Sequence, residues 1–225
     1  ARQESWQARA SQVALAIKTL LPEIAPKSRN SWIPPAVSGH EKQHSIWERI
    51  WQENPVEGWD SLSENVLTIL NNWCGDLSQL KILEVGCGSG RISARLAMMG
   101  ADLYLLDYSE KALLVAKEKF ERHKLKGTFV LGDMMHLPFE LDSFDLVWSS
   151  GVLEHYHVTE QEKAIREMAR VCRNNRTIIS LVMNAACLPY RIGKWVAEKT
   201  NNWPWGEEYP VNSMIATFLM AGLTA

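Results

Sequence analysis

The chain has 225 residues, with 24 Lys and Arg against 26 Asp and Glu, a formal charge of −2, and no basic block. That balance leaves no electrostatic footprint for nucleic acid or an anionic membrane surface, while the length suffices to bury a substantial core. The four cysteines, Cys74, Cys87, Cys172 and Cys187, form neither a C-x-x-C pair nor a metal spacing, so they read as free thiols in a reducing compartment.

Val13, Ile17, Leu20 and Leu21 fall at i, i+4, i+7 and i+8 and predict one apolar helix face closed by Pro22. The apolar stretch 13–21 contains Lys18 and is too short to span a bilayer or to form a signal h-region, so a cytoplasmic location is expected. A loop holding Pro26, Pro34, Pro35 and Gly39 follows. His40, His44, Trp47 and Trp51 then share one side of a second helix. Two imidazoles at i, i+4 suit half a metal site, but no third ligand accompanies them. No metal is expected, and the pair reads as a solvated or substrate-facing stripe. Trp47 and Trp51 read either as contacts to an aromatic substrate or as core. A third helix is expected to start with the capping box Ser61-Leu62-Ser63-Glu64, to bury Val66, Ile69, Leu70 and Trp73, and to stop at Gly75. Residues 1–78 thus form an expected helical cap.

From 79 to 184 strand and helix patterns alternate, which implies a doubly wound, Rossmann-like parallel sheet of the α/β class, covered on both faces. The expected strands are 81–85, 103–107, 128–134, a fourth from Phe144 that gives way to a loop at Ser149, and 177–183. Ile92, Leu96 and Met99 mark the first crossover helix; Ala112, Leu113, Ala116 and Phe120 mark the second, capped by Ser109. A further capping box, Thr159-Glu160-Gln161-Glu162, precedes a helix burying Ile165, Met168, Ala169 and Cys172, and Arg173-Asn174-Asn175-Arg176 reads as a turn. The last part, 185–225, is expected to be an irregular aromatic segment with Tyr190, Trp195, Trp203, Trp205 and Tyr209, then a helix capped by Asn212.

The chemistry concentrates in Lys81-Ile82-Leu83-Glu84-Val85-Gly86-Cys87-Gly88-Ser89-Gly90 and in Asp107 at the end of the second strand. A G-x-G-x-x-G dinucleotide fingerprint counted from Gly86 fails at Arg91. Glu84 before the turn would repel a pyrophosphate, so the spacing Glu84-x-Gly86-x-Gly88-x-Gly90 suits a ligand carrying an ammonium and a ribose. Taken singly, Asp107 or Asp133 could simply cap a following turn.

In register, these segments resemble motif I and its successors in the class I S-adenosylmethionine-dependent methyltransferases, in the small-molecule form of type 11 and quinone-biosynthesis enzymes. Phe144-Asp145-Leu146-Val147-Trp148-Ser149-Ser150-Gly151-Val152-Leu153-Glu154-His155 continues the likeness. The resemblance implies S-adenosylmethionine as cofactor and S-adenosylhomocysteine as product. It places Gly86, Cys87, Gly88 and Gly90 around the aminoacyl end with Glu84 nearby, and Asp107, beside Tyr108, on both ribose hydroxyls. Asp133 would take the adenine amine, Met134 would pack on the ring, and Ser149 and Ser150 would complete the cofactor side. His155 is the candidate base or a packing residue, with His157 a weaker candidate. Trp47, Trp51, Tyr190 and Trp203 are the candidate substrate contacts. The implied reaction is in-line methyl transfer to an O, N, C or S atom of a small molecule. Ser-Ser-Gly-Val, in place of Asn/Asp-Pro-Pro-Tyr, argues against a nucleic-acid acceptor. Two rivals stand: a cofactor-binding regulatory subunit without catalysis, and an NAD-dependent oxidoreductase, which Arg91, Glu84 and Gly132-Asp133 disfavour. Related enzymes close the sheet with an antiparallel hairpin, and the chain is expected to stop before it; a monomer or a homodimer is equally compatible.

Overall fold

The computed structural model describes residues 39–53 and 58–223, and side chains from Gln43 onward. The helix expected over 13–21, the prolines of the loop after it and the His40 side chain lie outside the described residues, while Gly39, expected in that loop, opens a helix. Residues 39–184 and 205–223 belong to one compact unit, and residues 185–204 to another.

Five apolar runs form an all-parallel sheet in the order β3-β2-β1-β4-β5, made of β1 (Lys81–Val85), β2 (Asp102–Asp107), β3 (Thr128–Leu131), β4 (Phe144–Ser150) and β5 (Cys172–Leu181). Side chains alternate between two separate cores because successive residues of a strand point to opposite faces. Ile82, Leu103, Leu105, Leu146 and Trp148 pack on one side. Leu83, Val85, Leu106, Phe144 and Val147 pack on the other. Burial on both faces is why these strands read as continuous apolar runs. The strand order reverses between β1 and β4, and in such sheets the crevice at the carboxyl ends of these strands takes the ligand.

The helices of this unit are α1 (Gly39–Glu53), α2 (Ser61–Cys74), α3 (Arg91–Met98), α4 (Glu110–Arg122) and α5 (Val158–Val171). Several boundaries differ from expectation. Helix α2 is capped by Asp60, whose carboxylate accepts from Ser63 N at 2.8 Å, so Ser61 is already helical. Val66 and Leu70 are buried, but Trp73, expected to be buried with them, is 75% exposed, in the last turn of the helix. Gly75 ends α2 at φ +69°. Met99 likewise sits beyond the buried face of α3. Ser109 caps α4 as expected, accepting from Ala112 N at 3.1 Å. Helix α5 starts two residues earlier than the Thr159 box: Glu160 accepts from His157 N, and Ala164 rather than Ala169 joins Ile165 and Met168 inside.

The residues expected as a turn, Arg173-Asn174-Asn175-Arg176, belong to β5 as an irregularity. Phe144 pairs Cys172 while Leu146 pairs Thr177, so between these pairs one residue of β4, Asp145, stands opposite four of β5. Asn175 takes φ +61°, a left-handed angle asparagine tolerates. Arg173 and Arg176 both pair with the buried Asp145 there, at 2.6 and 3.4 Å. In the second unit, the segment expected to be irregular contains a helix, α6 (Leu188–Lys199), with Pro189 in its first turn. A short helix α7 (Ile215–Met220) has Met214, not Asn212, at its N-cap.

Candidate functional site

The glycine turn after β1 is pinned from below: Gly86 N and Cys87 N both donate to Leu106 O, at 2.8 and 3.0 Å. Gly86, Gly88 and Gly90 take φ of +72°, +51° and +59°. Only glycine adopts such angles routinely, and three in succession fix the turn. Gly88 also permits a close approach. A Cβ there would lie 2.5 Å from Trp51 Cζ2 and 2.8 Å from Cη2, so the Trp51 indole rests directly on the turn. Arg91, which breaks the dinucleotide pattern, opens α3 and donates to Gly58 O at 3.0 Å, with Asp60 3.6 Å away.

Two buried carboxyls flank this turn. Ser93 Oγ donates to Glu84 Oε2, and burial, opposed by that hydrogen bond, pushes the Glu84 carboxyl up to about 8. Asp107 accepts from Gly88 N through Oδ2 at 2.8 Å and from Ser109 N through Oδ1 at 3.0 Å. Burial outweighs those amides and raises it to about 6, with Glu48 adding like charge. Asp107 therefore caps, tying the turn to the start of α4, while each oxygen retains capacity for a second donor. The Cys87 thiol is buried and held well above its usual value by the same desolvation.

Of the other expected cofactor residues, Met134 is buried, and Asp133 Oδ1 caps the loop by accepting from Met135 N at 2.8 Å. Tyr108 lies edge-on to His44, 4.8 Å between ring centres, and its carbonyl accepts from His44 Nε2 at 3.1 Å. His44 is thus half-buried and anchored on Tyr108. The Tyr108 and Tyr156 phenols influence each other, and burial raises both above the usual tyrosine value. Ser149 is buried with its Oγ 3.2 Å from Ser180 Oγ, and Ser150 pairs with Leu181, so both are held by β5.

His155 lies in a 3₁₀ turn, Leu153–His155, directly after β4. Its Nδ1 is 2.8 Å from the Glu207 carbonyl oxygen. A carbonyl can only accept, so Nδ1 carries the proton in that bond, with Gln43 Nε2 3.3 Å from the same nitrogen. Trp47 meets His155 edge-to-face at 5.2 Å, stacks on Trp51 at 6.3 Å and tilts over Trp205 at 5.5 Å. Gln43 Nε2 donates to Trp205 O at 2.9 Å. Gln43 and His155 border a cavity of about 150 Å³ that Tyr156, Glu160 and Tyr209 also line. A space of that volume holds one aromatic ring. His157 is exposed and packs on Tyr209 at 5.8 Å. Tyr190 and Trp203 meet each other at 6.2 Å within the second unit, with the Lys194 ammonium 4.7 Å above the Trp203 ring.

Two carboxylates given no role from sequence also stand here. Glu154 is 2% exposed, accepts from Met183 N at 3.3 Å through Oε1, leaves Oε2 without a hydrogen bond, and is raised by burial to about 7. Glu48 on α1 keeps Oε1 buried and without a partner. Among the described residues, no group of three or more His, Cys, Asp and Glu is arranged to hold a metal ion, and no helix is long and apolar enough to cross a membrane.

Residues 82–175 match the model of a methyltransferase domain. Over 96 residues the chain is 38% identical to methyltransferase GfsG of Streptomyces halstedii, a stretch covering 41% of this chain and only 34% of that protein. It is 25% identical over 182 residues to a ubiquinone biosynthesis O-methyltransferase of Pelagibacter ubique, covering 72% of this chain and 75% of that one. The fold is similar to that of magnesium protoporphyrin IX methyltransferase from Synechocystis, solved with bound S-adenosylhomocysteine, at a TM-score of 0.57 and 23% identity over 84% of this chain and 79% of that one.

Proposed function

The chain carries a class I methyltransferase domain, and from that premise we propose that the protein is an S-adenosylmethionine-dependent enzyme that methylates a small molecule. The observation that carries the reading is the pair of buried carboxyls, Glu84 and Asp107, set on either side of a turn with no side chain at Gly88. A ligand bringing positive charge and hydroxyl donors satisfies that pair, drawing off the Glu84 proton as it binds, whereas a pyrophosphate would bring further negative charge beside Asp107. The residues present therefore fit the cofactor.

When bound, the cofactor supplies a sulfonium methyl electrophilic enough to pass in line to an O, N, C or S nucleophile. Catalysis by the protein is then chiefly positioning and exclusion of water. Glu84 and the glycine turn hold the aminoacyl end, Asp107 receives the ribose hydroxyls, and Asp133 and Met134 hold adenine. The cavity bordered by His155, Tyr156 and Tyr209 takes a ring-sized part of the acceptor. His155, its tautomer fixed by the Glu207 carbonyl, withdraws a proton from the acceptor through Nε2. We assign the protein to the cytoplasm and exclude nucleic acid as acceptor on charge.

Calorimetric titration with S-adenosylmethionine, S-adenosylhomocysteine and NAD tests this. Saturable binding of both adenosyl ligands without NAD supports the reading; NAD binding alone overturns it.

A further inference from the structure

Helix α1 brings its own carboxylate to the cofactor site. His44, Glu48 and Trp51 fall at i, i+4 and i+7, on one helix face. The outer two are anchored. His44 Nε2 donates to the carbonyl of Tyr108, the residue after Asp107, and the Trp51 indole lies on Gly88. Glu48 stands between these anchors, facing the space where β2 ends and the glycine turn begins, and its charge is felt at Asp107.

Glu48 Oε1 is buried and receives no hydrogen bond. Neither Glu48 nor Asp107 has an ion-pair partner among the described residues. A carboxylate oxygen kept from water beside a second buried carboxylate is unfavourable unless something brings donors. Asp107 already gives one position on each oxygen to a backbone amide, so a ligand with two adjacent hydroxyls gains from a further acceptor nearby.

We propose that Glu48 is a cofactor-binding residue, its carboxylate reaching from α1 to accept a hydrogen bond from a ribose hydroxyl of the adenosyl cofactor alongside Asp107. The assignment rests on the cofactor reading above. It also moves Trp51 from the acceptor side to the cofactor side and makes α1 the element that closes over the nucleoside.

The experiment is calorimetric titration of S-adenosylhomocysteine into the wild type, Glu48→Gln, Glu48→Ala and Asp107→Asn, each also melted without ligand. A hydrogen bond to a charged acceptor corresponds to roughly a tenfold to hundredfold affinity change. Both Glu48 variants should therefore bind at least about tenfold more weakly. Their ligand-free melting temperature should hold or rise, because a like charge beside Asp107 is removed; a residue that merely supports the fold would lower it. A wild type that binds, an Asp107→Asn variant that binds weakly and Glu48 variants that bind normally would overturn the Glu48 assignment alone. No binding by the wild type would overturn the cofactor reading and this inference with it.

Discussion

Replacing Glu84 by Gln should change how the stability of the ligand-free protein depends on pH more than it changes stability itself. Glu84 has a carboxyl with an ordinary value of 4.5 raised by burial to about 8, and Ser93 Oγ donates to it. The folded state therefore holds a proton that the unfolded chain releases between these values, so stability is fully present below about pH 4.5 and is lost as pH rises toward 8. The slope approaches 1.4 kcal/mol per pH unit, so raising the pH from 5 to 7 removes about 2 kcal/mol through this one group. For a chain of this size that corresponds to a fall of roughly 4 to 8 °C in melting temperature. Gln copies the protonated acid and cannot ionise. Glu84→Gln should match the wild type near pH 5 and be more stable than it at pH 7 and above. Asp107 and Glu154, raised to about 6 and about 7, slope the same way but are common to both proteins and cancel in the comparison. Thermal melts at half-unit pH steps read the difference. Parallel curves for the two proteins would show that Glu84 is ionised across this range and would refute the electrostatic account of the site.

The same charges predict proton release when a cationic cofactor binds: near pH 7 the ligand lowers the Glu84 value, and titrations in buffers of different ionisation enthalpy should report up to about one proton set free. Asp107→Ala should lose cofactor affinity at least about tenfold, and it should also lower the melting temperature, because Gly88 N and Ser109 N are left without their acceptor at about 1 to 3 kcal/mol each; a variant that binds normally refutes the ribose assignment. Gly88→Ala should destabilise the fold and weaken ligand binding, since the new Cβ meets φ +51° and the Trp51 ring at 2.5 Å, and Trp51→Ala should recover part of the stability; calorimetry of the double variant checks the coupling. His155→Ala should reduce turnover strongly while cofactor affinity is retained, with the loss of its bond to Glu207 O checked separately by melting; equal turnover would leave His155 a packing residue.

The strands were readable because burial on both faces concentrates apolar residues in short runs, as in 103–106 and 146–148, and few other elements do so. Helix faces were less exact. Trp73 and Met99 continue the apolar period of α2 and α3 but lie past the point where the sheet covers the helix, and periodicity carries no record of where that cover ends. The Arg173–Arg176 segment was misread for a related reason: Asn in sequence signals a turn, whereas here Asn175 absorbs an irregularity opposite β4, and the pairing partner decides between the two.

Local chemistry divides along the same line. The sequence alone determined that Gly86, Gly88 and Gly90 form a tight turn between strand and helix, and that Asp107 ends the neighbouring strand, since these depend on backbone freedom and on spacing within a few residues. Only the tertiary structure decided that Glu48, 59 positions before Asp107, shares its surroundings, that Trp51 rests on Gly88 instead of in a core, and that Glu207 O fixes the His155 tautomer. Each of these depends on how a distant helix or loop is placed against the sheet. That placement is set by the sum of many packing contacts, so no short pattern in the chain spells it out.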